Sequence, residues 1–414
     1  MPPVQLAIIG AGSRGSGFAR YARQHPDEAR VVGVAEPRDP YRNALAAAHS
    51  LPPENVFRDW QEAASRPRFA DAVIIATQDR MHVGPAVAFA ALGYAVLLEK
   101  PMAPDEPGCR RIVEAVKQHH TLFAVGHVMR YTAYTQTLKR MIDAGQIGDI
   151  VSIQLLEQVG FWHYAHAFVR GNWRNEALSS PMLLSKSCHD LDWIHYLIGA
   201  PCEKVSSFGT LKHFRAKDGP PQAADRCLDC PVEPSCPYSA KRIYLERIRA
   251  GHTGWPVSIL TPDVTEPAVI EALRTGPYGR CVYACDNDVV DNQVVNMQFE
   301  GNRTAAFTLA AFTPMGDRLA RIFGTCGALY GDGRTIEHFD FLHNRREVID
   351  THASEGSILG GHGGGDERLM RAFVSAVAAN DPTPVLTGPD ETLASHLIVF
   401  AAERARLENR VVTL

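Results

Sequence analysis

Residues 4–15 read VQLAIIGAGSRG, and this stretch decides the fold. An apolar run of strand length leads directly into the pattern G-x-G-x-x-G, whose members are Gly10, Gly12 and Gly15. In a dinucleotide-binding βαβ unit, the first glycine permits a tight turn and the second lets a pyrophosphate approach the backbone. The third allows close packing of the following helix, whose first N–H groups face the phosphates. The stretch therefore predicts a Rossmann unit with Ser13 and Arg14 inside the cofactor loop.

An acidic residue at the end of the next predicted strand bears on the choice of cofactor. Residues 30–36 read RVVGVAE, and Glu36 lies about twenty positions after the glycine pattern. An acid at this point accepts hydrogen bonds from the adenosine ribose and repels a 2′-phosphate, so Glu36 favours NAD. Arg38 is able to hold a 2′-phosphate instead, which leaves NADP as the alternative. An ordinary strand ending in a solvated acid is the other interpretation, and the upstream motif outweighs it.

The composition is that of an ordinary globular protein. The chain has 414 residues, 45% of them hydrophobic, and a formal net charge of −4, so we expect two or three domains and no nucleic-acid partner. No apolar run is long enough to span a bilayer, and the N-terminus leads straight into a strand, so we expect no membrane or signal segment. Nine cysteines, most of them scattered, suit a reducing compartment, and we expect a cytoplasmic location.

Two domains follow from the order of the predicted elements. Strands alternate with helices through residues 1–125, which predicts an α/β domain with a doubly wound parallel sheet. Residues 126–414 predict an α+β domain with a mainly antiparallel open sheet, because consecutive strands there are joined by turns. The strands predicted in it are 150–157, 205–209, 292–299, 304–312, 321–325 and 335–341. Helices are predicted over 182–198, 366–379 and 389–407.

An insertion at about residues 212–287 interrupts this second domain and holds five of the nine cysteines. It is rich in Pro, Gly, Asp and Arg, so we expect a loop with little core of its own. Thiolates at C-x-x-C spacing can bind one metal ion. We therefore predict a structural zinc site, with unpaired thiols or a disulfide as the alternatives. Its ligands would be Cys227, Cys230, Cys236 and Cys281.

Together, these motifs resemble the Gfo/Idh/MocA family of NAD(P)-dependent dehydrogenases. The matching segments are GAGSRG at 10–15, AT at 76–77 with His82, EKP at 99–101, GHVMRY at 126–131, GQIG at 145–148 and HDLD at 189–192. The resemblance covers most of the chain apart from the insertion. It implies that Thr77, His82 and Glu99 help to bind the cofactor. It also implies that Lys100 sits beside the nicotinamide and positions or deprotonates the substrate hydroxyl.

The position of Lys100 agrees with that role on physical grounds. A residue at the carboxyl end of a parallel strand faces the crevice where open α/β sheets bind ligands. Apolar neighbours reduce the hydration of the amine, which suits proton transfer. A surface lysine is the more common case in general, and the strand-end position reverses that expectation.

The helix predicted over 182–198 supplies the other candidate catalytic residues. Family members usually carry an aspartate four residues before the histidine that corresponds to His189, whereas this chain has Ser185 there. Lys186 follows and is expected to bind substrate oxygens, while Asp192 is expected to orient the imidazole of His189. A structural histidine is the alternative, which the polar surroundings of His189 disfavour.

Two further stretches have the composition of a substrate pocket. Residues 163–174 concentrate histidine, arginine and aromatic side chains, as polyhydroxylated ligands require, and a glycine-rich loop lies at 360–366. With the family motif at 126–131, these stretches give a predicted set of substrate-binding residues. That set is Arg130, His163, Arg170, Trp173 and His362.

The sequence thus predicts an NAD(H)-dependent oxidoreductase acting on a secondary alcohol of a sugar, polyol or related cyclic substrate. A redox-neutral, NAD-dependent glycoside-cleaving enzyme is one alternative, because the usual aspartate is missing. A non-catalytic sensor of dinucleotide and sugar is the other, and retention of Lys100 and His189 argues against it. We expect a homodimer or homotetramer, because an open sheet leaves one face for packing.

Overall fold

A six-stranded parallel sheet with helices on both faces forms the N-terminal part of the computed structural model, which describes residues 2–351 and 362–414, with backbone only at 362. Its strands are β1 (Val4–Ile9), β2 (Ala29–Ala35), β3 (Val56–Phe57), β4 (Ala72–Ile75), β5 (Ala95–Leu98) and β6 (Phe123–Val125). Its helices are α1 (Ser13–Gln24), α2 (Asp39–Ala48), α3 (Trp60–Ala64), α4 (Val83–Ala91) and α5 (Glu106–Gln118). The strand order β3-β2-β1-β4-β5-β6 reverses between β1 and β4, so the ligand crevice is expected at the carboxyl ends of these two strands.

Near-continuous apolar strands explain why this sheet is covered on both faces. Along β1, Leu6 and Ile8 pack into the core on one side, whereas Ala7 and Ile9 pack into the core on the other. A parallel sheet needs such strands because helices bury both of its surfaces.

A nine-stranded sheet organises the rest of the chain. Its strands are β7 (Ile150–Gln158), β8 (Cys202–Thr210), β9 (Asn292–Phe299), β10 (Arg303–Ala310), β11 (Leu319–Gly324), β12 (Gly327–Gly331), β13 (Thr335–Asp340), β14 (Arg345–Asp350) and β15 (Val412–Thr413). The accompanying helices are α6 (Ala133–Asp143), α7 (Phe161–Tyr164), α8 (Met182–Ile198), α9 (Glu246–Arg249), α10 (Glu266–Thr275), α11 (Gly365–Ala379) and α12 (Pro389–Glu408). The strand order in this sheet is β14-β13-β12-β11-β7-β10-β9-β8-β15. Among the described strands of this second sheet, only β7 and β10 pair in parallel.

One face of this sheet is covered by α8 and α12, and the other is open. Val295 and Phe307 are buried on the helix side, whereas Phe208 and Val294 are exposed on the opposite side. The predicted fold class, a Rossmann domain followed by an α+β domain with a mainly antiparallel open sheet, is confirmed.

One helix of the C-terminal half belongs to the core of the N-terminal sheet. Helix α11 returns to the first sheet, where Leu369 and Phe373 join the core that contains Leu6. Within the described ranges, no helix has the length and apolar character needed to cross a membrane.

The insertion is more compact than its loop-like composition predicts. It contains α9, α10 and a π-helical turn, Lys241–Leu245. Tyr244, Val257, Val269 and Leu273 are fully buried and belong to the same core as the nine-stranded sheet. The insertion therefore buries apolar surface of its own, which supplies the stabilisation that the sequence interpretation assigned to a metal.

Candidate active site

The glycine loop after β1 has the close contacts that its motif requires. Gly10 has φ of +96°, and a Cβ there would lie 2.6 Å from the carbonyl oxygen of Ala76. A Cβ at Gly15 would lie 1.9 Å from the carbonyl oxygen of Gly10. Gly12 is the N-cap of α1 and makes no side-chain cap, so the first N–H groups, beginning at the exposed Ser13, can bind a phosphate.

Glu36 lies at the end of β2 and contacts the same loop. Its Oε2 accepts a hydrogen bond from the Ala11 N–H at 2.9 Å, and Arg38 donates to both carboxylate oxygens at 2.7 and 2.9 Å. Burial alone would raise the pKa of Glu36, but the hydrogen bonds from Arg38 and Ala11 outweigh it and lower that pKa. Glu36 is therefore ionised and already neutralised by Arg38, whose guanidinium also stacks on Tyr41 at 4.1 Å.

Arg14 connects the glycine loop to two other parts of the chain. Its Nε donates to Glu99 at 2.6 Å, and its Nη2 donates to Asp366 at 2.6 Å. Glu99 is buried and directly follows β5, whereas Asp366 lies in the first turn of α11. Arg14 and Glu99, both predicted cofactor residues, thus form one ion pair at the crevice.

The turn after β4 contains a buried polar atom. The Oγ1 atom of Thr77 is buried, with no hydrogen-bond partner within the described part of the chain. His82 supports this turn from behind, since its ring nitrogens lie 3.1 Å from the Thr77 carbonyl and 2.7 Å from the Pro101 carbonyl. The uncapped α1 terminus, the glycine cradle and the orphaned Thr77 hydroxyl fit a dinucleotide in this crevice. His82 would support cofactor binding indirectly, because it joins the turn at Thr77 to the turn at Pro101.

Lys100 is the point where the two parts of the protein meet at the crevice. It follows β5, the Lys100–Pro101 peptide is cis, and the amine is partly buried. Its Nζ donates to the backbone carbonyl of Ser185 in α8 at 2.9 Å. A second contact joins the same two parts of the protein: the hydroxyls of Ser179 and Ser180, just before α8, donate to Asp79, just after β4, at 3.1 and 3.2 Å.

A buried ionic network lies on the α8 side of this junction. The Lys186 amine is 2.8 Å from Glu157, and Arg318 is 2.7 Å from Glu157 and 2.8 Å from Asp190. Burial would raise the pKa of Glu157, but Arg318 and Lys186 lower it to about 2. For Asp190, burial dominates and raises the pKa despite Arg318. We call these four residues the ionic network; they bring two cationic side chains to the helix that faces Lys100.

His189 is held by this network. It is buried, and its Nε2 lies 2.8 Å from Nη2 of Arg318. Asp192, the expected orienting residue, is bound elsewhere: Arg130 donates to its two carboxylate oxygens at 2.7 and 2.8 Å. The expected role of Asp192 toward His189 stays a prediction; the described neighbours of the His189 Nε2 include Arg318 and, at 3.8 Å, a carboxylate oxygen of Asp190.

The predicted substrate-binding residues fall in different places. Arg130 is 2% exposed, and its guanidinium donates to Asp192 and to the Leu386 carbonyl. Arg170 is 1% exposed and anchors the insertion, since it donates to the carbonyls of Arg280 and Tyr238. Both arginines are thus buried and paired within the chain, and their expected substrate-binding roles stay predictions.

The other three predicted contacts lie on separate segments. His163 lies in α7, shortly after the strand that carries Glu157, and its Nδ1 is 3.1 Å from the Val159 carbonyl. Trp173 is 40% exposed on the segment before α8. The side chain of His362 and the preceding glycines lie outside the described residues, so the prediction for this loop stays a prediction.

The zinc site predicted in the insertion is corrected. Four cysteines border one cavity together with Arg170: Cys227, Cys230, Cys236 and Cys281. All nine cysteines are free thiols, and no group of three or more His, Cys, Asp or Glu side chains within 2–351 and 362–414 is placed to hold a metal ion. Arg170 occupies part of this space, with Nη2 at 3.3 Å from the Cys227 sulfur. Burial raises the pKa of the Cys236 and Cys281 thiols.

Sequence reasoning missed two members of the ionic network. Glu157 shares the inward phase of β7 with Ile153 and Leu155, and an acid in a buried strand phase was a signal for a functional or paired carboxylate. Arg318 lies in the connection between β10 and β11, where no periodicity marks it. Only the three-dimensional arrangement identifies it.

The comparisons with known proteins agree with this geometry. An inositol 2-dehydrogenase from Streptomyces avermitilis is 32% identical over 216 residues, which are 52% of this chain and 59% of that protein. A 2,7-anhydro-N-acetylneuraminate hydratase from Mediterraneibacter gnavus is 28% identical over 218 residues, 50% of this chain and 53% of that protein. The matches thus span little more than half the length of these two relatives. A solved NAD-binding oxidoreductase from Klebsiella pneumoniae has a TM-score of 0.72 at 16% identity, with 99% of both chains covered.

Two family models account for most of the chain. The model of an oxidoreductase family with an NAD-binding Rossmann fold matches residues 4–127, and the model of its C-terminal alpha/beta domain matches residues 139–414. The predicted class, an NAD(P)-dependent oxidoreductase, is thereby confirmed at the level of the family. The chain belongs to the Gfo/Idh/MocA oxidoreductase family.

Proposed function

We propose that this protein transfers hydride between NAD(H) and a secondary alcohol of a sugar, polyol or related cyclic compound. The observation that carries the proposal is the contact of Lys100 Nζ with the Ser185 carbonyl at 2.9 Å. It places one amine between the cofactor crevice and the helix that bears Lys186 and His189. An inositol dehydrogenase among the relatives supports a polyhydroxylated substrate.

Each residue has a role that its contacts allow. The bound nicotinamide supplies hydride transfer. The glycine loop holds the pyrophosphate, Glu36 holds the adenosine ribose, and Thr77 offers its unpaired hydroxyl to the cofactor. Lys100 takes the proton from the substrate hydroxyl during oxidation and returns it during reduction.

The ionic network binds the substrate rather than exchanging protons with it. Lys186 and Arg318 donate hydrogen bonds to substrate oxygens while Glu157 and Asp190 balance their charge. The Nε2 lone pair of His189 already accepts a hydrogen bond from Arg318, so Nε2 is not available to accept a proton from the substrate. His189 therefore orients the substrate. Lys100 is therefore the group assigned to proton transfer.

A screen of sugars, inositols and other polyols tests this proposal. Each compound is incubated with NAD or NADP, and absorbance of the reduced nicotinamide is followed. We expect at least one cyclic polyol or sugar to give turnover that Lys100→Met abolishes. Turnover that survives in Lys100→Met would remove Lys100 from the chemistry, and no turnover with any compound would favour the sensor.

A redox-neutral reaction is the second candidate, and one observation favours it. The position of the family aspartate holds Ser185, whose hydroxyl is bonded back to the Pro181 carbonyl at 3.2 Å and brings no carboxylate to Lys100. A relative named as a 2,7-anhydro-N-acetylneuraminate hydratase supports this candidate, because hydration involves no net oxidation or reduction. Product formation by NMR without net accumulation of reduced cofactor would select this candidate over net oxidation.

Assembly and location complete the proposal. The open sheet face carries a row of cross-strand partners that includes Phe208, Val294, Leu156 and Leu319. This apolar row supports a homodimer or homotetramer, which light scattering would detect. The free thiols support a cytoplasmic location, which localisation of the tagged protein would test.

A further inference from the structure

Two tryptophans form an exposed aromatic surface at the border of the ionic network. Trp162 lies in α7 and Trp255 lies in the insertion, with ring centroids 5.3 Å apart. Trp255 is 44% exposed, although indole rings are normally covered in a folded protein. We call this pair the aromatic platform.

The aromatic platform is continuous with the predicted substrate pocket. The ring of Trp255 lies 5.1 Å from that of His163 in a T-shaped arrangement. His163 in turn lies in α7, shortly after the strand that carries Glu157, and its Nδ1 is 3.1 Å from the carbonyl of Val159, two residues beyond Glu157. A ligand bound at the ionic network would therefore have the platform as its neighbour on the outer side.

The aromatic platform is held rigidly by its surroundings. The guanidinium of Arg247 stacks over Trp162 at 4.3 Å, and the ring of His166 lies 5.5 Å from Trp255. His166 is fixed by Tyr244, whose hydroxyl is 2.9 Å from Nδ1. A preorganised surface of this kind binds a ligand with little loss of side-chain entropy.

The histidines beneath the platform are uncharged at neutral pH. Burial lowers the pKa of His163 to about 4 and that of His166 to about 3. His163 Nδ1 lies 3.1 Å from the Val159 carbonyl and donates its proton there. Its Nε2 therefore carries a lone pair that can accept a hydrogen bond from a ligand hydroxyl. Apolar rings beside a neutral acceptor match a sugar ring, which has an apolar C–H face and a hydroxylated edge.

The platform exists because the insertion packs against the segment that precedes α8. Arg170 and Arg174 of that segment bond to the Arg280 carbonyl at 2.7 Å and to Asp286 at 3.0 Å. These contacts attach the insertion to the segment that leads from α7 to α8. The insertion thus brings Trp255 against the rings of Trp162 and His163 in α7.

We propose that the aromatic platform binds a second sugar ring, glycosidically linked to the ring that reacts, so that the substrate is a disaccharide or other glycoside. This inference rests on the proposed function, because it takes the ionic network as the site of the reacting ring. A free single-ring polyol would occupy the network and leave the exposed indoles uncovered.

Saturation-transfer NMR with matched sugars tests the inference directly. The probes are glucose with cellobiose and maltose, and galactose with lactose, each added to the full chain with NADH. We expect at least one disaccharide to receive saturation on both rings. In Trp255→Leu the second ring is expected to lose its signal while the first ring keeps it. Phe341→Leu, a change at an equally exposed aromatic residue of the β13–β14 hairpin, is the matched control and should keep both signals.

Kinetics give the second readout. For a disaccharide that is turned over, Trp255→Leu should lower kcat/KM by about tenfold while that of the matched monosaccharide changes by less than about twofold. Equal losses for both sugars, or no saturation of a second ring, would overturn the inference. A smaller oligomer in Trp255→Leu would assign the platform to a subunit interface and would overturn it as well. The NMR experiment needs no turnover, so failure of the proposed oxidation is distinguishable from failure of this inference.

Discussion

The guanidinium of Arg318 donates a hydrogen bond to the imidazole of His189, with Nη2 2.8 Å from Nε2. A guanidinium has no acceptor, so the imidazole nitrogen must supply a lone pair. His189 is therefore neutral, with its proton on Nδ1. Arg318 also contacts Glu157 and Asp190, and one arginine thus ties the candidate histidine to both buried carboxylates.

Arg318→Lys tests whether this contact positions His189. Lysine keeps the positive charge beside the carboxylates but lacks the planar fork that reaches two partners and the ring. We expect kcat/KM to fall by about tenfold and the pH profile of kcat/KM to gain an acid limb. The acid limb appears because the imidazole can then be protonated.

Arg321→Lys is the control, since Arg321 is exposed on β11 three residues away. It should leave both the rate and the pH profile unchanged. An Arg318→Lys enzyme whose pH profile matches that of the wild type would show that Arg318 has only a structural role.

Lys100→Met is expected to lower kcat by about 10²- to 10⁴-fold, the usual range for loss of a general acid–base group. The dissociation constant of NAD should change little, because Lys100 is bonded to the Ser185 carbonyl and not to the glycine loop. Stopped-flow or steady-state rates and calorimetric titration measure the two effects. Lys117→Met changes an exposed lysine and should affect neither; NAD binding lost together with turnover would assign Lys100 to the cofactor site.

Glu36 and Arg38 are expected to set the cofactor preference in opposite directions. We predict tighter binding of NAD than of NADP, because Glu36 is ionised and contacts the glycine loop, where the adenosine ribose is expected to bind. Glu36→Gln should weaken NAD binding and release Arg38, which raises the relative affinity for NADP. Arg38→Met should weaken NADP alone. Calorimetric titration of both cofactors measures this, and a wild-type preference for NADP would show that Arg38 governs the pocket.

Local sequence patterns were sufficient to predict helix α8 and strand β9. Helix α8 occurs at the predicted residues, 182–198, because its apolar period runs from Met182 to the C-cap Gly199, which has φ of +65°. Strand β9 matches its prediction for the same kind of reason, an alternating buried pattern ended by a turn. Such signals depend on neighbours in the sequence, and tertiary contacts do not alter them.

Side-chain partners could not be predicted in the same way. Asp192 is three residues from His189 in the sequence, yet it is bonded to Arg130, which comes from a separate element. Likewise, cysteine spacing indicated a metal, whereas burial of residues such as Leu273 stabilises the insertion. These outcomes depend on which distant segments pack together, and a single sequence does not record that.

The insertion should therefore respond to changes in its apolar core. Leu273 is fully buried on α10, and Leu273→Ala is expected to lower the free energy of unfolding by about 2–5 kcal/mol through lost packing and a cavity. Arg274→Ala, at the neighbouring exposed position, should cost less than about 0.5 kcal/mol. Urea unfolding measures both. Equal stability of the two variants would mean that the insertion does not share the core.

His127 gives the protein a defined sensitivity to acid. It is fully buried, and neither ring nitrogen has a hydrogen-bond partner among the residues that the structure describes. Burial lowers its pKa to about 3, although Asp192, 3.9 Å from Nδ1, acts in the opposite direction. Between pH 6.5 and 3, His127 therefore binds a proton in the unfolded chain but not in the folded protein. Over this window the free energy of unfolding falls by up to about 1.4 kcal/mol per pH unit from this residue.

His127→Leu should remove that contribution, because leucine fills a similar volume without titrating. We expect the variant to gain stability relative to the wild type as the pH falls from 8 to 5, with the difference opening below about pH 6.5. Urea unfolding at pH 8, 6.5 and 5 measures the slope. His119→Leu, at an exposed position, should leave the slope unchanged. Parallel pH dependences of wild type and His127→Leu would show that His127 is protonated in the folded protein and that Asp192 outweighs its burial.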